Sequence, residues 1–268
     1  MSDQTVEIQT DLLDPARARA LQIVLGDAPS IATHDTLPAF FHQVYFWTPV
    51  APSGLGRDGH PKVGGLIPDM GLPRRMWAGG RLTFHTQLQA GHPAERRTIV
   101  ETQAHKAGRS GPLGFVTLRH DIWQRGICAV TEWQDLVYRE DPKDSVAPAP
   151  RAARTDETAL DRQTFDTTRL FRYSALTFNG HRIHYDLDYA RDIEGYDGLV
   201  VHGPLLAHLL MRMAERQGPL KTFQFRATAP LIHVEHADLA QNGNSMWVRG
   251  PDGRLCMTAA VTHQSESV

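Results

Sequence analysis

Cysteine is nearly absent from this chain. Its 268 residues include only Cys128 and Cys256. Neither shows the spacing of a redox pair or a zinc site, so a disulfide scaffold and a zinc finger are excluded. We expect both to be reduced core residues, because each lies in an apolar, strand-like run.

Long apolar runs and regions of one charge sign are also missing. No apolar run approaches the length of about 18 residues typical of a membrane-spanning helix, and the N-terminus lacks a charged-then-apolar leader. The net charge is −2, with 15 Lys and Arg against 16 Asp and Glu in residues 1–145 and 13 against 14 in residues 146–268. This even balance predicts no nucleic acid and no membrane partner. We expect a cytoplasmic protein.

The composition and length of the chain, together with a proline-rich segment near its middle, indicate a globular protein with two halves. The hydrophobic content is 41% and the charged content 22%, and this length suits one large domain or two of ordinary size. Residues 140–164 are polar and proline-rich without periodicity, which is typical of a linker. We therefore predict an N-terminal domain at 1–145 and a C-terminal domain at 146–268. One larger α+β domain is the alternative, and the break at 140–164 argues against it.

Both halves follow the same predicted order, a helix and then antiparallel strands. Helices are expected at 14–26, 166–177 and 203–217, each with a capping residue or an apolar stripe. Residues 49–80 form an irregular segment rich in Pro and Gly. The alternating runs predict strands at 40–48, 81–88, 96–106, 115–124 and 126–138, then at 222–227, 232–237, 244–249 and 254–263.

This plan predicts an α+β fold of the double hot-dog type. Two antiparallel sheets would each wrap a central helix, and the sheets would meet edge to edge with a cleft between the halves. Residues 54–59 (Gly-Leu-Gly-Arg-Asp-Gly) match a dinucleotide-binding fingerprint by letter only. No helix is predicted after them, so we interpret them as a surface loop.

Polar residues capable of chemistry concentrate in one short segment. Asn179, His181 and His184 lie between two predicted helices, and a later His202-Gly203 pair opens an apolar helix. The start of a helix offers unpaired N–H groups and a partial positive charge, which suit an oxygen that gains negative charge. An imidazole near such a donor indicates acid–base chemistry.

A metal site is the competing interpretation of these histidines. His181 and His184 are three residues apart, and His233 and His236 repeat that spacing. Neither pair lies in a convincing helix, and no Cys or Glu completes the ligand patterns that zinc uses. We predict no metal, and we expect His233 and His236 to be strand residues.

The segment 173–207 resembles the MaoC-type dehydratases and hydratases of the hot-dog superfamily. Their signature is Gly-Asp-x-Asn-Pro-Leu-His followed later by His-Gly at a helix start, and here it falls on Phe178–His184 and on His202-Gly203. Residues 172–186 are similar to the branch that contains mesaconyl-CoA and itaconyl-CoA hydratases and 3-hydroxyacyl-thioester dehydratases. The shared sequence is Arg-Tyr-Ser-Ala-Leu-Thr-Phe-Asn-x-His-Arg-Ile-His-Tyr-Asp. Residues 73–80 also look like that branch.

The resemblance implies a lyase that reversibly adds water to a 2-enoyl-CoA thioester without a cofactor. His184 would be the base, and the Gly203 N–H would bind the thioester oxygen. Where the wider family has an aspartate, this chain has Asn179, which can orient water but cannot accept a proton. We expect Asn179 to position the water while His184 both removes and returns the proton.

The expected substrate is a short acyl-CoA, branched or dicarboxylic, of the mesaconyl, itaconyl or methylmalyl type. His181 and His202 are expected to bind it. Arg74 and Arg75 are candidates for its phosphates, and Trp77 for stacking on the adenine or covering the acyl tunnel. The N-terminal half would accommodate the acyl-CoA.

Two other functions stay open on the sequence alone. A non-catalytic protein that binds acyl thioesters is favoured by the missing aspartate, and a thioesterase would need a nucleophile or carboxylate at the thioester carbon. The sequence also leaves a homodimer or a higher homo-oligomer open.

Overall fold

The computed structural model describes residues 5–108, 111–141 and 149–265. Within these ranges the chain forms ten β-strands and three α-helices. The first half contains β1 (Glu7–Leu12), α1 (Pro15–Leu25), β2 (Arg74–Phe84), β3 (Pro93–Gly108), β4 (Gly111–Gln124) and β5 (Ile127–Arg139). The second half contains β6 (Ala159–Thr164), α2 (Thr167–Thr177), α3 (Gly203–Glu215), β7 (Leu220–Ala227), β8 (His236–Asn242), β9 (Ser245–Arg249) and β10 (Leu255–His263).

All ten strands belong to one antiparallel sheet with the order β1-β3-β4-β5-β2-β7-β10-β9-β8-β6. Reading inward from either edge, the strand order of the second half repeats that of the first. β1, β3, β4, β5 and β2 correspond to β6, β8, β9, β10 and β7. The two halves therefore share one topology although they share no evident sequence repeat.

The halves join where β2 pairs with β7. Gly79 lies opposite Arg226, and Gly80 lies opposite Phe225. A Cβ on Gly79 would come within 2.6 Å of the Phe225 carbonyl oxygen, and one on Gly80 within 2.7 Å of the Trp133 carbonyl oxygen. Only glycine allows such close backbone approach, and the contact of Gly79 with β7 lies at the junction of the two halves.

Helix α3 is the buried helix of the second half. Ten of its 13 residues are buried, including the predicted stripe from Leu205 to Ala214. It packs on β7, β10, β9 and β2. Since β2 belongs to the first half, α3 also contacts the neighbouring half of the sheet, and its first turn lies close to the boundary between them.

Helix α2 is capped as its sequence predicts. Asp166 accepts a hydrogen bond from Arg169 N at 2.7 Å, and the helix ends at Phe178 in the left-handed conformation (φ 51°). Helix α1 begins with Asp14 as its cap and ends at Gly26. It packs against α2 and against a short 3₁₀ turn, Phe41–Val44.

The predicted strand at 40–48 is wrong. Phe40 adopts a positive φ of 68°, and a 3₁₀ turn follows it. Phe40, Phe41, Val44 and Tyr45 are all almost fully buried. The aromatic residues therefore belong to a buried connection that covers the sheet. The partial alternation of their residue types resembles the pattern of a strand, which explains the wrong prediction.

Other strand boundaries also differ between the prediction and the structure. β2 begins at Arg74 instead of residue 81. Residues 232–235 form a turn with Val234 at φ 69°, so β8 starts at His236 and not at 232. The two edge strands, β1 and β6, were not predicted, and β6 occupies the end of the predicted linker. The rest of that linker includes residues 142–148, which lie outside the described residues, and the proposed domain boundary stays a prediction.

Candidate active site

A cavity of about 590 Å³ lies where the two halves of the sheet meet. Both halves contribute to its walls. From the second half come Asn179, His181, His184 and Gly203; from the first half come His60, Arg75, Trp77, Arg96, His120 and Glu132. The predicted catalytic segment and the start of α3 thus face one space, although nearly twenty positions separate them along the chain.

His184 is held as a neutral imidazole with one free nitrogen. It lies on a 3₁₀ turn, Arg182–His184, and its Nδ1 lies 2.7 Å from the Val200 carbonyl oxygen. A carbonyl only accepts, so Nδ1 donates and Nε2 carries the lone pair. Among the described residues Nε2 has no protein partner, and it keeps access to the cavity. Burial lowers the pKa of His184 to about 4, so the ring is a neutral acceptor at neutral pH.

His202 packs against the ring of His184. The two rings stack with centroids 3.6 Å apart, and His202 Nε2 lies 2.8 Å from Ser174 Oγ. The His202 side chain has no exposed surface and does not line the cavity. Ser174 on helix α2 and the His184 ring both contact His202, so its predicted contact with substrate has no support in this arrangement.

Asn179 shapes the turn that carries these groups. Its Oδ1 accepts a hydrogen bond from His181 N at 3.0 Å, while Asn179 N donates to the Ser174 carbonyl oxygen at 2.9 Å. The side chain lines the cavity. An Asn with one oxygen engaged still presents its NH₂ group, which can donate to water.

His181 lies between two other imidazoles. Its ring centroid is 4.6 Å from that of His60 and 5.5 Å from that of His184. Burial, together with these neighbours, lowers the pKa of His181 to about 2. It lines the cavity as a neutral group, which offers substrate one hydrogen-bond donor and one acceptor.

Gly203 is the first residue of α3 and faces the cavity. First-turn N–H groups have no partner inside a helix. Among the described residues, the backbone hydrogen bonds outside helices and strands include none donated by Gly203 N. A Cβ at this position would meet only the Trp77 carbonyl oxygen, at 3.8 Å, so the space in front of the glycine is open to a ligand.

Arg74 does not bind substrate in this arrangement. Its side chain is 7% exposed, and its Nε lies 2.5 Å from Glu194 Oε2. A second nitrogen donates to the Glu194 carbonyl oxygen at 3.0 Å. Arg74 therefore does not line the cavity, because Glu194 holds its guanidinium, and its predicted contact with substrate has no support in this arrangement.

Arg75 and Trp77 do line the cavity. Arg75 is close enough to His60, His181 and Tyr138 to influence their pKa values. No carboxylate among the described residues forms an ion pair with it. The Trp77 indole N–H donates to the Gly79 carbonyl oxygen at 2.8 Å, and the ring packs near Phe40 and Phe225. These contacts favour Trp77 as a wall of the acyl tunnel.

Asp58 and His60 also belong to this site, although neither was predicted from the sequence. Asp58 lies within residues 54–59, which were interpreted as a surface loop, and His60 follows directly. This loop contacts the segment 179–185. His60 Nδ1 is 3.0 Å from Asp58 Oδ2. No spacing signal links residue 60 with residues about 120 positions later, so only the fold brings them together.

The far wall of the cavity is also polar. Glu132 on β5 lies 2.8 Å from His42 Nε2, and His120 Nδ1 lies 2.8 Å from Thr98 Oγ1. Burial and Arg96 lower the pKa of His120 to about 4. These residues extend the polar surface into the first half of the molecule, where no catalytic motif was predicted.

One group among the described residues has the composition of a metal site. Asp58, His60 and His181 each place a ligand atom within 4.8 Å of the others. The carboxylate and one imidazole are already hydrogen-bonded to each other, which we interpret as a proton-handling pair. His233, the other suspected ligand, accepts a hydrogen bond from Leu199 N at 3.0 Å. The absence of a metal stays a prediction.

The chain is similar in sequence to known thioester dehydratases and hydratases. The family model for hydroxyacyl-thioester dehydratase type 2 matches residues 40–233. Mesaconyl-C(4)-CoA hydratase of Chloroflexus aurantiacus is 41% identical over 266 residues, which cover 96% of this chain and 95% of that protein.

Solved structures show the same fold. HtdX of Mycobacterium tuberculosis superposes with a TM-score of 0.69 at 18% identity, covering 97% of this chain and 100% of that one. Another protein of the same organism, described as a double hot-dog, superposes with a TM-score of 0.56 at 15% identity, covering 97% and 96%. The predicted double hot-dog fold is confirmed.

Proposed function

This chain belongs to the family of type 2 hydroxyacyl-thioester dehydratases, and from that premise we propose that it is a hydro-lyase for a short, branched dicarboxylic acyl-CoA. It adds water across the double bond of a 2-enoyl-CoA and removes water from the 3-hydroxyacyl-CoA. One observation carries the assignment of the site. The free Nε2 of His184 and the open first turn of α3 face the same cavity.

In hydration, His184 takes a proton from the attacking water. The water oxygen then bonds to the β-carbon, and the π electrons move toward the thioester. Because His184 is neutral at neutral pH and its Nδ1 is fixed on Val200, Nε2 is free to accept the proton at the start of the step. A positioned general base of this kind accelerates a reaction by about 10²–10⁴-fold.

The thioester oxygen gains negative charge as the π electrons move. The Gly203 N–H and the start of α3 are placed to stabilise it. The absence of a side chain lets the thioester approach the backbone closely. The Asn179 NH₂ group orients the water from the opposite side, which leaves proton transfer to imidazoles.

A second carboxylate on the acyl group finds a cation close to the catalytic residues. Arg75 lines the cavity near His60 and His181. The pantetheine arm separates the phosphates of CoA from the thioester, so a cation beside the catalytic histidines suits an acyl carboxylate better than a phosphate. A mesaconyl group carries its free carboxylate on the β-carbon, where the water adds. The 41% identical relative is named for that substrate, which supports the same acyl class here.

The assay uses the enoyl-thioester absorbance with mesaconyl-, itaconyl- and crotonyl-CoA. We expect the absorbance to fall fastest with mesaconyl-CoA, with no release of free thiol. Thiol release without loss of the double bond would indicate a thioesterase. Tight binding without either change would indicate an acyl-thioester binding protein. Either result would contradict the proposal.

Among the described residues, no helix has the length and apolar character required to cross a membrane. A cytoplasmic location and a homo-oligomer stay predictions.

A further inference from the structure

The Asp58–His60 pair lies at the cavity although no part of the recognised motif contains it. His60 lines the cavity together with Asn179, His181 and His184. Asp58 engages His60 twice: its Oδ2 is 3.0 Å from His60 Nδ1, and its Oδ1 accepts from His60 N at 3.1 Å. The carboxylate thus fixes both the ring and the backbone of the histidine.

The loop that carries this pair is docked on the catalytic segment. Arg182 N donates to the Asp58 carbonyl oxygen at 2.9 Å, and Arg182 Nη1 donates to the Arg57 carbonyl oxygen at 3.2 Å. Gly59 and Gly180 touch backbone to backbone, and a Cβ on either would overlap the carbonyl of the other. The position of His60 against Asn179 and His181 is therefore set by main-chain contacts.

Hydrogen bonding distinguishes His60 from the other imidazoles of the cavity. An ionised carboxylate only accepts, so Nδ1 of His60 donates to Asp58. The Asn179 amide also interacts with His60 and favours its protonated form. By contrast, His184 bonds a carbonyl, and His120 bonds a threonine and a glutamine. Among the described histidines that line the cavity, His60 is the one whose ring bonds a carboxylate.

The charges around His60 act in opposite directions. Burial and the Arg75 guanidinium on β2 lower the pKa of His60, and the hydrogen bond and charge of Asp58 oppose them only in part, so the pKa of His60 stays below its ordinary value. Burial raises the pKa of Asp58, but the hydrogen bonds and charge of His60 outweigh it and hold that pKa well below its usual range. His181 lies next to His60, with ring centroids 4.6 Å apart, and His60 contributes to lowering the pKa of both His181 and His184.

We propose that His60, oriented by Asp58, is a second catalytic acid–base residue of this site, contributed by the first half of the molecule. It supplies the proton that the α-carbon receives during hydration. The inference rests on the proposed function and replaces the expectation that His184 alone removes and returns the proton. Asp58 restores, from another segment, the carboxylate that is missing at Asn179.

Hydration then uses both histidines in one balanced step. The water O–H bond breaks, its proton goes to His184 Nε2, and the oxygen bonds to the β-carbon. The π bond breaks, its electron pair moves to the α-carbon, and that carbon takes a proton from His60. His184 leaves the step protonated and His60 neutral. Proton exchange with solvent restores both groups, and dehydration follows the same path backward.

The test compares His60→Gln and Asp58→Asn with the matched controls His92→Gln and Asp69→Asn, which lie outside the cavity. Mesaconyl-CoA hydration is measured from pH 4.5 to 9, with thermal midpoints for each variant. We expect wild-type kcat to decline as pH rises through the pKa of His60. In His60→Gln, kcat falls about 10²–10⁴-fold, KM changes less than about threefold, and this decline disappears.

Asp58→Asn removes the charge that favours protonated His60. We expect the decline in kcat to move at least about one unit toward lower pH, because an adjacent opposite charge shifts a pKa by about 1–3 units. In His60→Ala, added imidazole should restore part of kcat. Both controls should keep the wild-type profile.

Three results would overturn the inference while leaving the proposed function intact: unchanged kcat in His60→Gln, a lower kcat with an unchanged pH profile, or a loss of wild-type activity with EDTA that Zn²⁺ restores. The last result would assign Asp58, His60 and His181 to a metal. A wild-type protein that hydrates none of the enoyl-CoA substrates would refute the proposed function itself, and this inference with it.

Discussion

At the scale of single residues, the base of the proposed mechanism is an imidazole that burial keeps neutral. His184 has one nitrogen fixed on Val200 and the other free at the cavity. His202 stacks behind it and adds a hydrogen bond to Ser174. Such a ring accepts a proton without first losing one, which is what a base must do at neutral pH.

Arg75 gives a prediction about substrate choice. Arg75→Gln should raise KM for mesaconyl-CoA about 10–100-fold, because a charge-assisted hydrogen bond contributes about 1.5–3 kcal/mol. KM for crotonyl-CoA, which lacks a second carboxylate, should stay within about threefold. Steady-state kinetics with both substrates measures this.

Arg81→Gln is the matched control, since Arg81 lies on the same strand, packs over Trp133 and does not line the cavity. Its KM values should match those of the wild type. An equal rise in KM for both substrates in Arg75→Gln would assign Arg75 to the CoA portion.

The sequence identifies some of these residues and not others. Asn179, His184 and Gly203 follow from the motif, and all three face the cavity. His202 and Arg74 have the right residue types but are buried behind other side chains, and burial of single side chains cannot be read from spacing. His60 has no local signal because its partners are distant in sequence.

At the scale of elements, the loop 52–67 and the segment 179–185 act as one unit. The Gly59–Gly180 contact brings their backbones together. Gly59→Ala should separate them, since the new Cβ meets the Gly180 carbonyl and φ is +86°. We expect kcat to fall at least about tenfold and stability to fall by about 1–3 kcal/mol.

Gly64→Ala is the control for backbone strain. Gly64 also has a positive φ, +103°, but nothing lies within 4 Å of the place that its new methyl group would occupy. It should lose only the stability that the backbone strain costs, which is less than in Gly59→Ala, and keep kcat within about threefold. Equal losses of kcat in both variants would show that the loop contact has no specific role. Thermal midpoints and hydration kinetics supply both quantities.

Helices were predictable at this scale, whereas several strands were not. Asp14, Asp166 and the Gly203-Pro204 pair mark helix starts by local chemistry. The edge strands β1 and β6 alternate between half-buried and exposed residues and carry few apolar side chains. Their pairing partners are remote in sequence, so the pairing could not be predicted from either segment alone.

At the scale of the whole molecule, the repeated strand order places one histidine-bearing segment from each half at a single cavity. The edge-to-edge sheet was predicted from the order of elements. Which loop of the first half would reach the catalytic segment depends on the three-dimensional path of residues 49–73, and no periodic pattern specifies that path.

The buried histidines predict how stability depends on pH. Burial lowers the pKa of His120 and His184 to about 4 and that of His208 to about 3, from an ordinary 6.5. Below pH 6.5 these histidines bind protons in the unfolded chain but not in the folded protein, so the stability of the folded protein falls as pH falls. Each such group contributes up to about 1.4 kcal/mol per pH unit. Above pH 6.5 these three groups have no effect.

Thermal midpoints measured from pH 8 to 5 should therefore be flat above about 6.5 and fall steeply below it. His208→Leu should reduce this slope and raise stability at all pH values, because both ring nitrogens of His208 are buried without partners among the described residues. A constant midpoint down to about pH 5 would contradict the neutral, buried state of these rings.

The most direct test of the account is the rate of mesaconyl-CoA hydration by His184→Ala relative to the wild type, with unchanged far-UV circular dichroism as proof of folding. We predict that kcat/KM falls about 10²–10⁴-fold while substrate binding persists. A folded variant that hydrates mesaconyl-CoA at the wild-type rate would contradict the assignment of His184 as the base, and with it the proposed mechanism.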